Sequence, residues 1–221
     1  MLAALKIDKY PYFDLSEVTN EPDLLIKPYR ALRPLKAGDD VPNFSFQRET
    51  GRWRQFINGS FVNAHVDLNK LLNKPLVIGF YSSQWQNYGI DYLKKLNDIH
   101  AEIKASGGNL LIIIDEMESK LEKLAWDQMF SLSFYIDTDK EIAENFNLYS
   151  DSDPAWNKFS GIDTNVPLLA AYVLSASGQI AYHHIEQDFE VDFPSKEIIS
   201  SVYNASIDKN NIRNLKEQVV R

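Results

Sequence analysis

Leu76-Val77-Ile78-Gly79-Phe80-Tyr81-Ser82-Ser83-Gln84-Trp85-Gln86-Asn87-Tyr88-Gly89 joins two structural periods in one short stretch. Its first six residues follow Pro75 and are almost unbroken apolar, the pattern of a strand buried on both faces. Ser82-Ser83-Gln84 interrupts the run. From about Asn87 the apolar residues recur at helical spacing, with Leu93, Leu96, Ile99 and Ile103 on one stripe and Lys94, Lys95, Asp98 and Glu102 off it. The spacing predicts a helix from Asn87 to Ala105, stopped by Gly107-Gly108. A buried strand feeding a helix through a short polar turn is the unit of an α/β fold.

Outward from this unit the pattern repeats. Asn109 to Asp115 reads as a strand and Ser119 to Met129 as a helix. A strand at Phe134 to Asp137 is followed by a helix at Lys140 to Phe146, which Asp139 is placed to cap. After a loop at Asp151 to Asn165 come strands at Ala170 to Leu174 and Gln179 to Ile185 about a turn at Ser175-Ala176-Ser177-Gly178, and a helix from near Ser195 through Tyr203. Upstream, Val41 to Phe46 alternates like an edge strand, and Arg52 to Val66 reads as a hairpin turning at Asn58-Gly59. This order predicts a three-layer α/β/α sandwich with a mixed, mainly central sheet over residues 38–221. Residues 1–37 differ: Pro11, Pro22, Pro28 and Pro34 punctuate them, and Leu24-Leu25-Ile26 is their one strong apolar cluster. They are expected to form an arm packed on the domain or on a partner subunit.

Composition narrows the function classes. The 221 residues are 44% hydrophobic and 24% charged, as a globular domain is, and carry a net charge of −8. That charge disfavours nucleic acid and anionic membranes as partners. The longest apolar runs, Leu76 to Phe80 and Leu110 to Ile114, are far short of a bilayer span. Met1-Leu2-Ala3-Ala4-Leu5-Lys6 lacks the basic start and apolar length of a secretory signal, so a cytoplasmic location is expected. There is no cysteine anywhere, which excludes disulfides and thiolate metal sites.

Four stretches, in order, carry a resemblance. Leu35-Lys36-Ala37-Gly38-Asp39-Asp40-Val41-Pro42-Asn43-Phe44 is similar to "L-x-x-G-x-x-x-P-x-F". Phe80 to Gly89 is similar to "F-Y-R-G-x-W-C-P-Y-C". Asp137-Thr138-Asp139 through Ala143-Glu144-Asn145-Phe146-Asn147-Leu148 is similar to "D-x-x-x-x-x-A-x-x-F-G-L". Val166-Pro167-Leu168-Leu169-Ala170-Ala171-Tyr172-Val173-Leu174 with Ser175 to Ile180 is similar to "L-P-x-P-A-T-Y-V-I-D-x-x-G-x-I". Together they resemble the alkyl hydroperoxide reductase and thiol-specific antioxidant (AhpC/TSA) family, the peroxiredoxin-like branch of the thioredoxin fold, over roughly Leu35 to Val202. The resemblance implies a thioredoxin-like sheet, a homodimer, and a site where Gln86 meets Val166-Pro167.

The departures fall on the chemistry. The resemblance places the peroxidatic cysteine at Gln86 and a second cysteine at Gly89. The thiolate is the nucleophile of such an enzyme, and a carboxamide is not one. Ser83 stands where the family motif has a threonine. The arginine expected after an acidic-aromatic pair is replaced in either register of Asp188-Phe189-Glu190-Val191-Asp192, and the proline just before the Ala170 strand is Leu169. Ser83, Trp85, Gln86 and Gly89 therefore read as a vestigial active site with no catalytic residue. Tyr88, Val166 and Pro167 are expected beside it, on a surface that takes an unidentified small molecule or protein. Tyr88 and Tyr92 are one turn apart and can share a face. The alternative is an oxidoreductase working through another residue, a bound cofactor or a partner's thiol.

Three other groupings are weaker. His183-His184 are neighbours on a strand and point to opposite faces, so they do not share one metal ion. Asp115-Glu116 end a strand where α/β sheets often place reactive groups. Ser82-Ser83 lie near no histidine in sequence, and neither a Gly-x-Ser-x-Gly elbow nor a glycine-rich phosphate loop exists. No cofactor and no metal is expected.

Overall fold

The structure, a computed structural model, describes residues 31–42, 46, 50–62, 71–117, 119–189 and 191–219, and the side chains of the last helix as far as Asp208. Strands β1 (Trp53–Ile57), β2 (Ser60–Val62), β3 (Leu76–Tyr81), β4 (Asn109–Ile114), β5 (Ser133–Ile136), β6 (Ala170–Leu174) and β7 (Ile180–Ile185) form one sheet in the order β2-β1-β5-β4-β3-β6-β7. β3 lies parallel to β4, with Tyr81 opposite Ile114, and antiparallel to β6, with Phe80 opposite Ala170. β1 is antiparallel to β5. The sheet is therefore mixed, and every residue of β3 and β4 is buried. That follows from sequence: only a strand covered on both sides accommodates Leu-Val-Ile or Leu-Leu-Ile-Ile-Ile without a polar break.

Two layers cover it. Gly79 faces α1 (Gln86–Asp98) so closely that a Cβ there would meet Leu96 Cδ1 at 2.7 Å. The same side carries α2 (His100–Ala105), α3 (Ser119–Asp127) and α5 (Ser195–Val219). On the opposite face Phe80 packs on Phe146, just past α4 (Glu141–Asn145), and on Tyr172. The protein has the three-layer thioredoxin-like α/β/α architecture that its strand and helix order predicts.

The expected single helix from Asn87 to Ala105 is broken at Ile99, which ends α1 and precedes α2. The apolar stripe runs through the break, and Leu93, Leu96, Ile99 and Ile103 are all buried. Asp139 does not cap α4. Lys140 holds the left-handed position there (φ 58°), and Asp137 supplies the carboxylate, accepting from the amides of Ile142 (2.9 Å) and Ala143 (3.1 Å). The last helix continues to Val219, well past Tyr203. The Asn58-Gly59 turn joins β1 and β2 as expected. A Cβ at Gly59 would lie 2.9 Å from the Trp126 Cα, so glycine is required by close approach as well as by φ.

Of the expected arm, residues 1–30 lie outside the described residues, as does the Leu24-Leu25-Ile26 cluster. So do residues 43–45 of the expected edge strand and 63–66 of the expected hairpin. Asp40 makes an isolated antiparallel bridge with Gln179. Residues 32 to 38 run along the Phe80 face. Gly38 donates to Ile180 O (2.8 Å), Ala37 to His183 Nδ1 (3.1 Å), Leu35 to Phe146 O (3.2 Å) and Leu32 to Asp153 Oδ2 (2.7 Å). Among the described residues no helix is long and apolar enough to cross a membrane.

Candidate functional site

The site is built at the carboxyl end of β3. Ser82 leaves the strand in extended conformation and is fully buried. Its hydroxyl donates to Asp115 Oδ2 (3.0 Å) and accepts from the Gln84 amide (3.4 Å). A short 3-10 turn, Ser83–Trp85, then sets up α1. Asp115 follows the last residue of β4. Burial pushes its carboxyl above the usual value, and the Ser82 hydrogen bond pulls the other way. Ser82 and Asp115 thus tie the ends of two neighbouring strands together.

Trp85 is the keystone of this corner and is 1% exposed. Its indole Nε1 donates to Pro167 O at 2.9 Å, joining the start of α1 to the segment before β6 across 82 positions of sequence. The expected meeting of the Gln86 region with Val166-Pro167 is made through this bond. Val166 and Pro167 are themselves buried and Val166–Pro167 is trans, so they support the site from beneath.

Gln86 is exposed at the first position of α1, with φ 50° and ψ −127°. An L-residue enters that region only under constraint. The constraint is visible: the Gln86 amide donates to Ser83 O, closing the 3-10 turn, while Trp85 is locked beneath it. The side chain stands between two open grooves. One, of about 620 Å³, is lined by Gln86, Tyr88, Lys158, Phe159, Gly161 and Phe189, among others. The other, of about 550 Å³, lies between α1 and α3 and includes Ser83, Gln84, Ile90, Lys120 and Leu124.

Gly89 is buried in the first turn of α1. A Cβ there would meet Tyr81 Cε2 at 2.8 Å and Trp85 Cβ at 3.0 Å, so a side chain at this position needs its neighbours to move. Tyr88 and Tyr92, one turn apart on α1, both pack on the segment after β7, through Phe189 and Phe193, but differ in burial. Tyr92 is 2% exposed and donates its hydroxyl to Ala170 O, and burial holds its phenol well above the usual range. Tyr88 is 54% exposed and stacks on Phe189 with ring centroids 4.1 Å apart. Trp85 packs edge-on against Phe159 (4.9 Å) and tilts against Phe189 (5.9 Å). The groove floor is aromatic. Phe159 escapes sequence reasoning because it sits in an aperiodic loop. Phe189 lies in a stretch whose reading turned on a missing arginine.

The remaining groupings separate. His183 Nδ1 accepts from the Ala37 amide on the Phe80 face, whereas His184 lies 3.4 Å from Glu186 and packs on Phe193. Burial, assisted by Lys36 and His184, pulls the His183 imidazole below its usual value. Val191 and Asp192 are both exposed and neither offers a guanidinium.

The AhpC/TSA family pattern matches residues 37–183. Peroxiredoxin Bcp of Escherichia coli (strain K12) is 23% identical over 159 residues, covering 72% of this chain and 90% of its own. Peroxidoxin BcpB from Mycobacterium tuberculosis superposes with a TM-score of 0.54 at 16% identity, over 77% of this chain and 97% of its own. Enterococcus faecalis AhpC does so with a TM-score of 0.55 at 12% identity, over 77% and 93%. At such identities the structural likeness speaks for the fold, and the family pattern, which spans well over half the chain, speaks for descent. A β3–turn–α1 junction tied to Pro167, in a chain with no cysteine, thus belongs to a member of the AhpC/TSA family.

Proposed function

We propose that this protein is a peroxiredoxin-like binding or interaction module. It performs no thiol peroxidase chemistry with its own residues and engages a small molecule or a protein through the face around Gln86. The observation that carries this reading is Gln86 itself: an exposed carboxamide at the start of α1, between two grooves, where the resemblance puts the attacking thiol. A carboxamide donates and accepts hydrogen bonds. It has no thiolate to attack a peroxide oxygen and cannot pass through a sulfenic acid. The neighbouring groups support recognition: Tyr88 and Phe189 offer ring faces, and Lys158, Asp188 and Gln187 offer polar edges.

The test is hydroperoxide consumption by purified protein, with dithiothreitol and with a thioredoxin system, against a no-protein control. The expected rate equals the control. Turnover above it that survives removal of metals overturns the reading and favours the oxidoreductase alternative. A homodimer and a cytoplasmic location belong to the same proposal, and light scattering of the full chain checks the former.

A further inference from the structure

We propose that Asn58 is a modification site: its carboxamide converts to a carboxylate by attack of the Gly59 amide nitrogen, and the fold gates that reaction through the contact between the β1–β2 turn and the segment after α3.

The sequence supplies the reactants. Asn58-Gly59 is the chain's one Asn-Gly pair, and Asn58 is exposed at the turn of the hairpin. Glycine on the carboxyl side leaves the amide unshielded by a side chain and its backbone free to swing toward the carboxamide. The Gly59 amide gives its proton to hydroxide, and its nitrogen bonds to Asn58 Cγ. The Cγ–Nδ2 bond breaks, and Nδ2 takes protons from water and leaves as ammonia. Water then opens the cyclic imide at either carbonyl, so the net change is water in and ammonia out. One product is aspartate. The other is isoaspartate, whose main chain runs through Cβ and is one atom longer.

The closed fold withholds both reacting groups. Gly59 is buried, and its amide donates to Phe130 O at 2.9 Å, so the proton that hydroxide must take is engaged and shielded. A Cβ on Gly59 would lie 2.9 Å from Trp126 Cα and 3.0 Å from Ala125 O, which shows how closely the backbone of α3 covers this residue. The carboxamide is held from the other side. Ser131 Oγ donates to Asn58 Oδ1 (3.3 Å) and accepts the Asn58 amide (3.0 Å). Ser131 is itself anchored, its amide donating to Asn97 Oδ1 on α1 at 2.8 Å. Both turn residues keep positive φ, 47° at Asn58 and 79° at Gly59, as a tight hairpin turn requires. Reaction therefore waits for a local opening that lifts the turn from Phe130 and Ser131. Its rate is then the rate of the open turn multiplied by the fraction open. The isoaspartate product cannot close again in register, because the added main-chain atom displaces Ser60 from Ile57. Each event is a permanent record of one opening.

The test follows conversion at Asn58 in the full chain, folded and in concentrated urea, at mildly alkaline pH. It is read by mass spectrometry of the tryptic peptide beginning at Gln55 and by enzymatic methylation of isoaspartate. The expected folded rate is at least about tenfold below the urea rate. Ser131→Ala removes the hydroxyl clamp and should raise the folded rate severalfold, leaving the urea rate unchanged. Asn97→Ala, remote from the reacting atoms, should act in the same direction. Asp137→Ala, which weakens the fold at α4, should leave the folded rate unchanged. Equal rates in folded chain and urea overturn the gate, and no conversion in urea overturns the site. A folded rate that neither Ser131→Ala nor Asn97→Ala moves, or that Asp137→Ala raises as much as they do, also overturns the proposal, because the opening is then not that of this contact.

Discussion

At Gln86 the chain holds a conformation (φ 50°, ψ −127°) natural to glycine. Strain of that kind costs of order 1–3 kcal/mol. Replacing a helical residue by glycine ordinarily costs about 1 kcal/mol. Here the sign reverses: Gln86→Gly should raise stability by about 1 kcal/mol, read as a higher denaturation midpoint with an unchanged slope. Gln86→Cys asks what remains of the site's electrostatics. The start of α1 carries first-turn amides and the positive end of the helix dipole, so the new thiol should ionise below its reference of about 8.5. The pH dependence of alkylation measures this, and a value at or above the reference would show that the helix end is not aimed at position 86. Peroxidase activity should stay poor in that variant. No arginine stands at Val191 or Asp192, and Gly89 cannot host a resolving cysteine without displacing Tyr81 or Trp85.

Among the elements, α4 shows how a cap chosen from sequence goes to the wrong carboxylate. Asp137→Ala should cost about 1–3 kcal/mol, because two buried amides lose their acceptor. Asp137→Asn should cost less, since Asn keeps an acceptor oxygen, and Asp139→Ala should move the thermal midpoint little, Asp139 being exposed. Asp137 wins because Lys140 takes the left-handed position, turning the chain so that the carboxylate three residues earlier meets the first free amides. A left-handed lysine leaves no trace in sequence. By contrast β3 and β4 were legible because burial on both faces demands unbroken apolar residues, and the β1–β2 turn because Asn-Gly tolerates positive φ. Of the candidate site, sequence placed Gln86 and Trp85 at the strand–helix junction and near Pro167. It did not separate the buried Trp85, Val166 and Pro167 from the exposed Gln86 and Tyr88. Exposure there is decided by the loops bearing Phe159 and Phe189, which have no periodicity.

For the whole molecule, buried titratable groups set a pH response. His183 and His100 are held below the ordinary imidazole value of 6.5, chiefly by burial, with Lys104 adding to the effect at His100. A histidine depressed in the folded state contributes stability that is complete above 6.5 and is lost as pH falls through the folded value. Asp115 and Asp137 are raised by burial, so their contribution is complete below 3.8 and is lost as pH rises through the folded values. As pH falls from 7 to 5 the histidine contribution is lost and lowers the melting temperature, while the raised carboxyls act in the opposite direction. His183→Asn should flatten that fall, because an amide oxygen can accept from Ala37 without gaining a proton; an unchanged slope would exclude His183 as a cause. The strand order carries a different consequence, one of timing. β3 sits between β4, which follows within 30 residues, and β6, which arrives only at Ala170. During synthesis, one edge of this fully buried strand stays unpaired until β6 has left the ribosome, and Trp85 waits as long for Pro167. A nascent chain of this kind exposes an open, apolar strand edge until the β6–β7 hairpin emerges.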